Sequence, residues 1–216
     1  MTVIKITQYD NDQGMTMQGA ITTANQRKLR LLSNTEIDER LNKTGEWKQE
    51  KEMYPCWTGT LIVYAEPGAP FGKTVTFRDL TLNVPKQFQG KVNCAIVCNH
   101  PDFTLKDNTL TPGKSARCIA FPVNDGQYLP EKEFGVPNGE KSGFTNSAAR
   151  HLWRRNESYV GLLARGFDYY DRRDVYAYYD CDCRLGVFGD TRRGKNFKCK
   201  HEWIKVCKHC GEERRP

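Results

Sequence analysis

Four runs, TGTLIVYAE (58–66), KTVTFRDLTLNV (73–84), KVNCAIVCN (91–99) and RCIAFPV (117–123), decide the fold class of this 216-residue chain. Each is dense in β-branched and aromatic residues and is bounded by Pro, Gly or Asn, the composition of strands separated by turns. In the third run the two-residue period of a strand puts Cys94, Ile96 and Cys98 on one face. That makes both cysteines core residues and not a metal-binding pair.

Outward from this block, TVIKITQ (2–8) alternates apolar and polar residues and reads as a strand. Residues 20–43 turn helical, through AITTANQRKLRLL and then SNTEIDERLNK. Ser33 followed three residues later by Glu36 is a capping-box pattern, and Gly45 is a stop signal. Toward the C-terminus, residues 124–145 show no apolar period and read as a long loop, the kind that often carries function. NSAARHLWRR (146–155) reads as a short helix capped by Thr145, with Arg154 and Arg155 at its C-terminal end and His151 packed or facing solvent. SYVGLLAR, RDVYAYYD and RLGVFG add three strand-like runs. The expectation is an α+β, β-rich mixed body over residues 1–190, with seven or eight strands and two or three short helices. Residues 191–216 form a small appendage. No repeat of fixed period occurs.

Several classes are excluded. No apolar run approaches the roughly 18–20 residues a membrane-spanning helix needs. Aromatic residues at 11% argue against a disordered chain. The opening MTVIKITQYDNDQGM lacks a basic-then-apolar leader pattern. With nine cysteines, an odd number unevenly clustered, the chain is expected to work in a reducing, cytoplasmic compartment. The segment Pro67-Gly-Ala-Pro-Phe-Gly-Lys-Thr74 imitates a phosphate loop but has Pro where the first Gly belongs. A strand-like run, not a helix, follows it, so the row of free amides and the helix dipole are missing. A turn between antiparallel strands accounts for it.

The net charge of +7 is concentrated at one end. Residues 191–216 hold nine Lys/Arg against three Asp/Glu, a net of +6. A basic terminal segment fits a polyanionic partner. The same segment reads Cys199-Lys-His201-Glu-Trp203-Ile-Lys-Val-Cys207-Lys-His-Cys210-Gly211. Thiolates two residues apart can grip one ion, and Gly211 permits the tight turn behind them. Cys199, His201, Cys207 and Cys210 supply three sulfurs and one nitrogen, a closed tetrahedral Zn²⁺ site that is structural and not catalytic. Cys181, Cys183 or His209 could replace one of the four. A segment this poor in apolar residues would take most of its folding free energy from the metal.

Residues 199–211 resemble the small zinc-ribbon modules found at the ends of many bacterial and phage proteins. The resemblance implies contact with nucleic acid or protein, with zinc as a structural cofactor. Arg192, Arg193, Lys195, Lys198, Lys200, Lys205 and Lys208 would neutralise phosphates, and Trp203 would stack on a base or cover the metal.

Two further segments bear on function. Residues 163–190 hold five tyrosines and six aspartates, a mixture that paratopes use and that is similar in composition to the variable segments of C-type-lectin-like domains. Tyr169, Tyr170, Tyr178 and Tyr179 are the candidate partner-binding residues there, against the plainer reading of two strands with aromatic cross-strand pairs. In the Cys98-Asn-His100-Pro-Asp102 segment, His100 with Cys98 or Cys118 is the one combination with nucleophilic potential. No nucleophile elbow, zincin helix or spaced acidic pair accompanies it.

The leading expectation is a non-catalytic nucleic-acid-associated protein. A second is a protein-interaction module, such as a small viral inhibitor of a host factor, and a third is an enzyme using His100. Elemental analysis of the purified protein is expected to return about one zinc per chain, falling toward zero when Cys207 and Cys210 are both changed to Ser.

Overall fold

The structure, a computed structural model, describes residues 3–6, 16–44, 56–141, 150–167, 173–177 and 186–190. These form two helices, α1 (Met17–Gln26) and α2 (Asn34–Thr44), and a 3₁₀ turn at Lys86–Phe88. The strands in chain order are β1 (Val3–Ile6), β2 (Arg30–Leu31), β3 (Cys56–Tyr64), β4 (Thr74–Phe77), β5 (Leu80–Asn83), β6 (Cys94–Asn99), β7 (Phe103–Lys106) and β8 (Thr109–Pro112). They continue with β9 (Arg117–Ala120), β10 (Gly126–Pro130), β11 (Pro137–Lys141), β12 (Arg150–Arg154), β13 (Tyr159–Phe167), β14 (Arg173–Ala177) and β15 (Gly186–Asp190). The β-rich α+β class is as expected.

The strand count is not: the described residues alone form fifteen strands where seven or eight were expected. Short hairpins make up much of the difference. KTVTFRDLTLNV divides at Arg78–Asp79 into β4 and β5, and Asp107–Asn108 joins β7 to β8 with both residues at positive φ, a turn matched to strand twist. The expected loop 124–145 contains β10 and β11, whose text lacks apolar alternation because only Tyr128 of β10 is buried. The expected helix 146–155 is strand β12 from Arg150 onward. Ladders to β10 and β14 override its helical propensity.

Eleven strands make one sheet, with the path β1-β15-β3-β13-β14-β12-β10-β11 and β2, β6 and β9 attached beside it. β4-β5-β8-β7 make a second. The second sheet follows simple alternation. Val75, Phe77, Leu80, Leu82, Phe103 and Leu110 are buried while Thr74, Thr76, Thr104 and Thr111 are exposed. Residues 65–73, which contain the phosphate-loop lookalike, carry the chain from the large sheet to this one, and Thr74 opens β4. They do not join two strands of a hairpin, as the sequence suggested.

β3 is central, and all nine of its residues are buried. It pairs with β13 on one side, while β6 and β15 share the other. Leu61↔Cys98 and Val63↔Ile96 put Cys98 and Ile96 on one face, as the alternation predicted. Midway along β3, Gly59 donates its N–H to the Leu32 carbonyl at 2.6 Å and accepts from the His100 N–H at 2.7 Å. A Cβ there would lie 2.6 Å from the Leu31 carbonyl oxygen, so only glycine allows β2 this close.

The helices are fixed individually. Thr16 caps α1, accepting from the Gly19 N–H at 3.0 Å. Met17 Sδ then takes the Leu162 N–H at 2.9 Å, where the β3–β13 register shifts. The capping box of α2 is complete: Ser33 N–H donates to Glu36 Oε2 at 2.9 Å and Glu36 N–H to Ser33 Oγ at 3.2 Å. Arg30 grips Glu36 bidentately, both contacts at 2.6 Å. Burial pushes the Glu36 carboxyl up, but Arg30 and Ser33 more than offset this and hold it below its usual range. Gly45 lies outside the described residues.

Under α2 is a buried ionic cluster. Asp38 Oδ1 meets Arg165 Nη2 at 2.7 Å, and Asp38 Oδ2 meets Arg150 Nη2 at 2.9 Å and Nε at 3.1 Å. Asn34 Oδ1 accepts from Arg165 Nη1 at 3.1 Å while its amide donates to the carbonyls of Phe134 and Gly135. All four side chains are buried. Gly59→Ala is expected to cost about 1–3 kcal/mol in denaturant unfolding. The control Gly72→Ala, whose new methyl would meet only the Thr74 carbonyl oxygen at an ordinary 3.6 Å, is expected to stay within about 0.5 kcal/mol of the parent.

Candidate functional site

The expected metal ligands Cys199, His201, Cys207 and Cys210, with the alternatives Cys181, Cys183 and His209, lie outside the described residues. So do the basic residues 192–208 with Trp203, and the four tyrosines 169, 170, 178 and 179. Tyr176 is the one tyrosine of that segment that is described. It is half-buried, and its hydroxyl donates to Asp174 Oδ2 at 2.9 Å.

His100, the candidate catalytic base, sits where three elements meet. Its Nδ1 accepts the Leu31 N–H at 3.1 Å and is therefore unprotonated, and its Nε2 faces Asn25 Oδ1 at 3.3 Å. Nε2–H therefore donates to Asn25, and both ring nitrogens are occupied. The ring also meets Phe103 edge-on, with centroids 5.5 Å apart. Burial, and secondarily the Arg30 charge, lower its pKa to about 4. Cys98 is buried, and its thiol donates to the Asp102 carbonyl at 2.8 Å. Burial pushes that thiol up, away from the thiolate form a nucleophile needs. The imidazole ties α1 and β2 to the end of β6, a structural role.

The face of β10, β12 and β14 opposite the ionic cluster holds a different set of groups. The registers Gln127↔His151, His151↔Asp174 and Trp153↔Tyr176 line up these five residues on one surface. The His151 and Trp153 rings lie 4.6 Å apart, tilted by 47°. Gln127 Oε1, His151 Nδ1 and Trp153 Nε1 are shielded from solvent and have no hydrogen-bond partner among the described residues. Buried polar atoms are ordinarily satisfied, so three adjacent exceptions mark a place with unused donor and acceptor capacity beside aromatic surface. Arg150, Leu152 and Arg154 alternate onto the other face. Arg154 lies 4.3 Å over the Tyr64 ring, and Tyr64 stacks on Phe121 and Tyr159. The sequence held no usable sign of the site: Arg150-His-Leu-Trp153 does not alternate in polarity, because a buried arginine takes an inward position.

Among the described residues, no group of three or more His, Cys, Asp or Glu side chains is placed to hold a metal, and no helix is long and apolar enough to cross a membrane.

His100 makes stability pH-dependent. Its folded pKa, about 4, lies below the ordinary 6.5, so the unfolded chain takes up a proton first as pH falls. Stability from this group is full above pH 6.5 and declines toward pH 4, by up to about 3 kcal/mol. Denaturant unfolding at pH 7 and pH 5 is expected to show that decline, and His100→Gln to remove most of the difference. The chain matches no protein-family profile, and no curated protein or solved structure matches it.

Proposed function

We propose that this is a non-catalytic nucleic-acid-associated protein, a β-rich body carrying a structural zinc module in its basic C-terminal segment. The observation that carries the reading is the sequence of residues 191–216, in which the Cys-x-His and Cys-x-x-Cys-Gly halves are interleaved with a net charge of +6. A closed Cys₃His site fixes a short fold and performs no chemistry of its own. The surrounding cations would neutralise phosphates.

The body supports this reading in two ways. Of the expected Cys/His combination, His100 and Cys98 are committed to structural hydrogen bonds and Cys118 donates to Cys94. The Gln127, His151, Trp153 and Tyr176 face offers aromatic rings beside unused polar capacity, which suits stacking and edge recognition of an unpaired base. The alternative, a protein-interaction module such as a small viral inhibitor, rests on the Tyr/Asp segment. Tyr176 is already turned onto Asp174 there, leaving Tyr169, Tyr170, Tyr178 and Tyr179 as its contact residues.

Binding of the full, zinc-loaded chain to short single-stranded DNA, duplex DNA and RNA should be followed across salt concentration. Affinity is expected to fall steeply with salt. Changing Arg192, Arg193, Lys195, Lys198 and Lys200 to Gln should flatten the log–log slope by about 0.7–0.9 for each lost phosphate contact. Trp153→Ala should weaken binding by about 1–3 kcal/mol while leaving the slope alone. Absence of binding at low salt would overturn the reading. A protein partner lost on Tyr178→Ala and Tyr179→Ala, but not on charge removal, would favour the alternative.

A further inference from the structure

On β6 and β9, the last strand of its arm of the large sheet, two half-buried thiols meet. β9 pairs only with β6 among the described residues. The antiparallel register runs Cys94↔Ala120 and Ile96↔Cys118, which makes Cys94 and Cys118 diagonal neighbours on one face. Their sulfurs are 2.8 Å apart, well inside ordinary contact, and both are free thiols. Neither is sealed in the core: both residues are of intermediate exposure, whereas Cys56 and Cys98 are buried. A disulfide needs about 2.05 Å between sulfurs, so closure requires a displacement of less than an ångström. β9, laddered on one side only, can supply it. Of the four described cysteines, these two alone combine mutual reach with access.

We infer that Cys94 and Cys118 form a reversible thiol–disulfide site that reacts with low-molecular-weight disulfides. The hydrogen bond sets the order of events. Cys118 Sγ–H donates to Cys94 Sγ, so the Cys118 proton is engaged within the pair. Burial, then the contact with Cys94, pushes the Cys118 thiol up to about 12, with Lys91 pulling the other way. Cys94, the acceptor of that bond, is the attacking sulfur and Cys118 the resolving group. Cys94 gives up its proton to solvent and its Sγ attacks one sulfur of R–S–S–R; that bond breaks, and RS⁻ leaves and is protonated by solvent. Cys118 then gives up its proton and attacks Cys94 Sγ in the mixed disulfide, and the second RS⁻ departs and is protonated. Two protein thiols are oxidised to one disulfide while R–S–S–R is reduced to two R–SH, and atoms and electrons balance. The product staples the end strand β9 to β6.

The test uses the full chain and oxidised glutathione, quenched by alkylation and read by peptide mass mapping, so that the other cysteines do not enter. Cys94 and Cys98 share a tryptic peptide, and fragmentation separates them. The expected product is a Cys94–Cys118 cross-link, two hydrogens lighter than the thiol pair and reversed by dithiothreitol. Cys118→Ser should accumulate glutathione on Cys94. Cys94→Ser should leave Cys118 reacting about tenfold or more slowly. Full alkylation of Cys94 and Cys118 after equilibration, a cross-link through Cys98 instead, or equal glutathione capture by the two variants would each overturn the proposal.

Discussion

One carboxylate joins the helical and sheet layers of this protein. Asp38, on α2, receives guanidinium groups from two strands, Arg150 of β12 and Arg165 of β13. Asn34, one turn earlier, receives Arg165 as well and extends the network to the turn between β10 and β11 through Phe134 and Gly135. Charges this deep are costly to desolvate and tolerate no missing partner. The cluster therefore fixes the rotation of α2 against the sheet, and with it which faces of β12 and β13 point inward. Once Arg150 and Arg165 are inward, His151, Trp153 and Asp174 must face the other way. The candidate binding surface is a consequence of the ionic lock beneath it.

This arrangement also explains what could and could not be read from the sequence. The four runs between residues 58 and 123 announced strands because their inward residues are apolar, and the Ser33/Glu36 capping box formed as spaced. β12 was misread as a helix. Its inward positions are an arginine, a leucine and another arginine, and the signature of a half-buried strand is lost when buried charge takes the apolar phase. β10 and β11 were misread as loop for a related reason: Pro and Gly recur through GQYLP and PNGEK, and their pairing is decided by neighbouring strands. The site on β10, β12 and β14 went unseen because its members come from three separated segments, two of them misassigned. No spacing within one segment encodes a register between strands.

The division of labour follows. The body uses its reactive side chains for architecture: His100 anchors β2 and α1 to β6, Cys98 is turned onto a backbone carbonyl, and Tyr64 accepts the Arg155 N–H while its burial raises the phenol to about 12. Cys94 and Cys118 differ from these in keeping partial exposure. In the proposed function, recognition falls to the face of β10, β12 and β14 and to the basic segment 191–216 with its metal-ligand spacing. The proposed nucleic-acid reading needs the face for bases and the segment for phosphates, two contributions that respond differently to salt.

The ionic lock is tested most directly by the unfolding free energy of Asp38→Ala in denaturant. Removing the carboxylate leaves two guanidinium groups buried without it, and the account predicts a loss of about 3–5 kcal/mol. A loss below about 1 kcal/mol would mean that α2 is held by its apolar contacts alone, and that the inward orientation of Arg150 and Arg165 does not depend on Asp38.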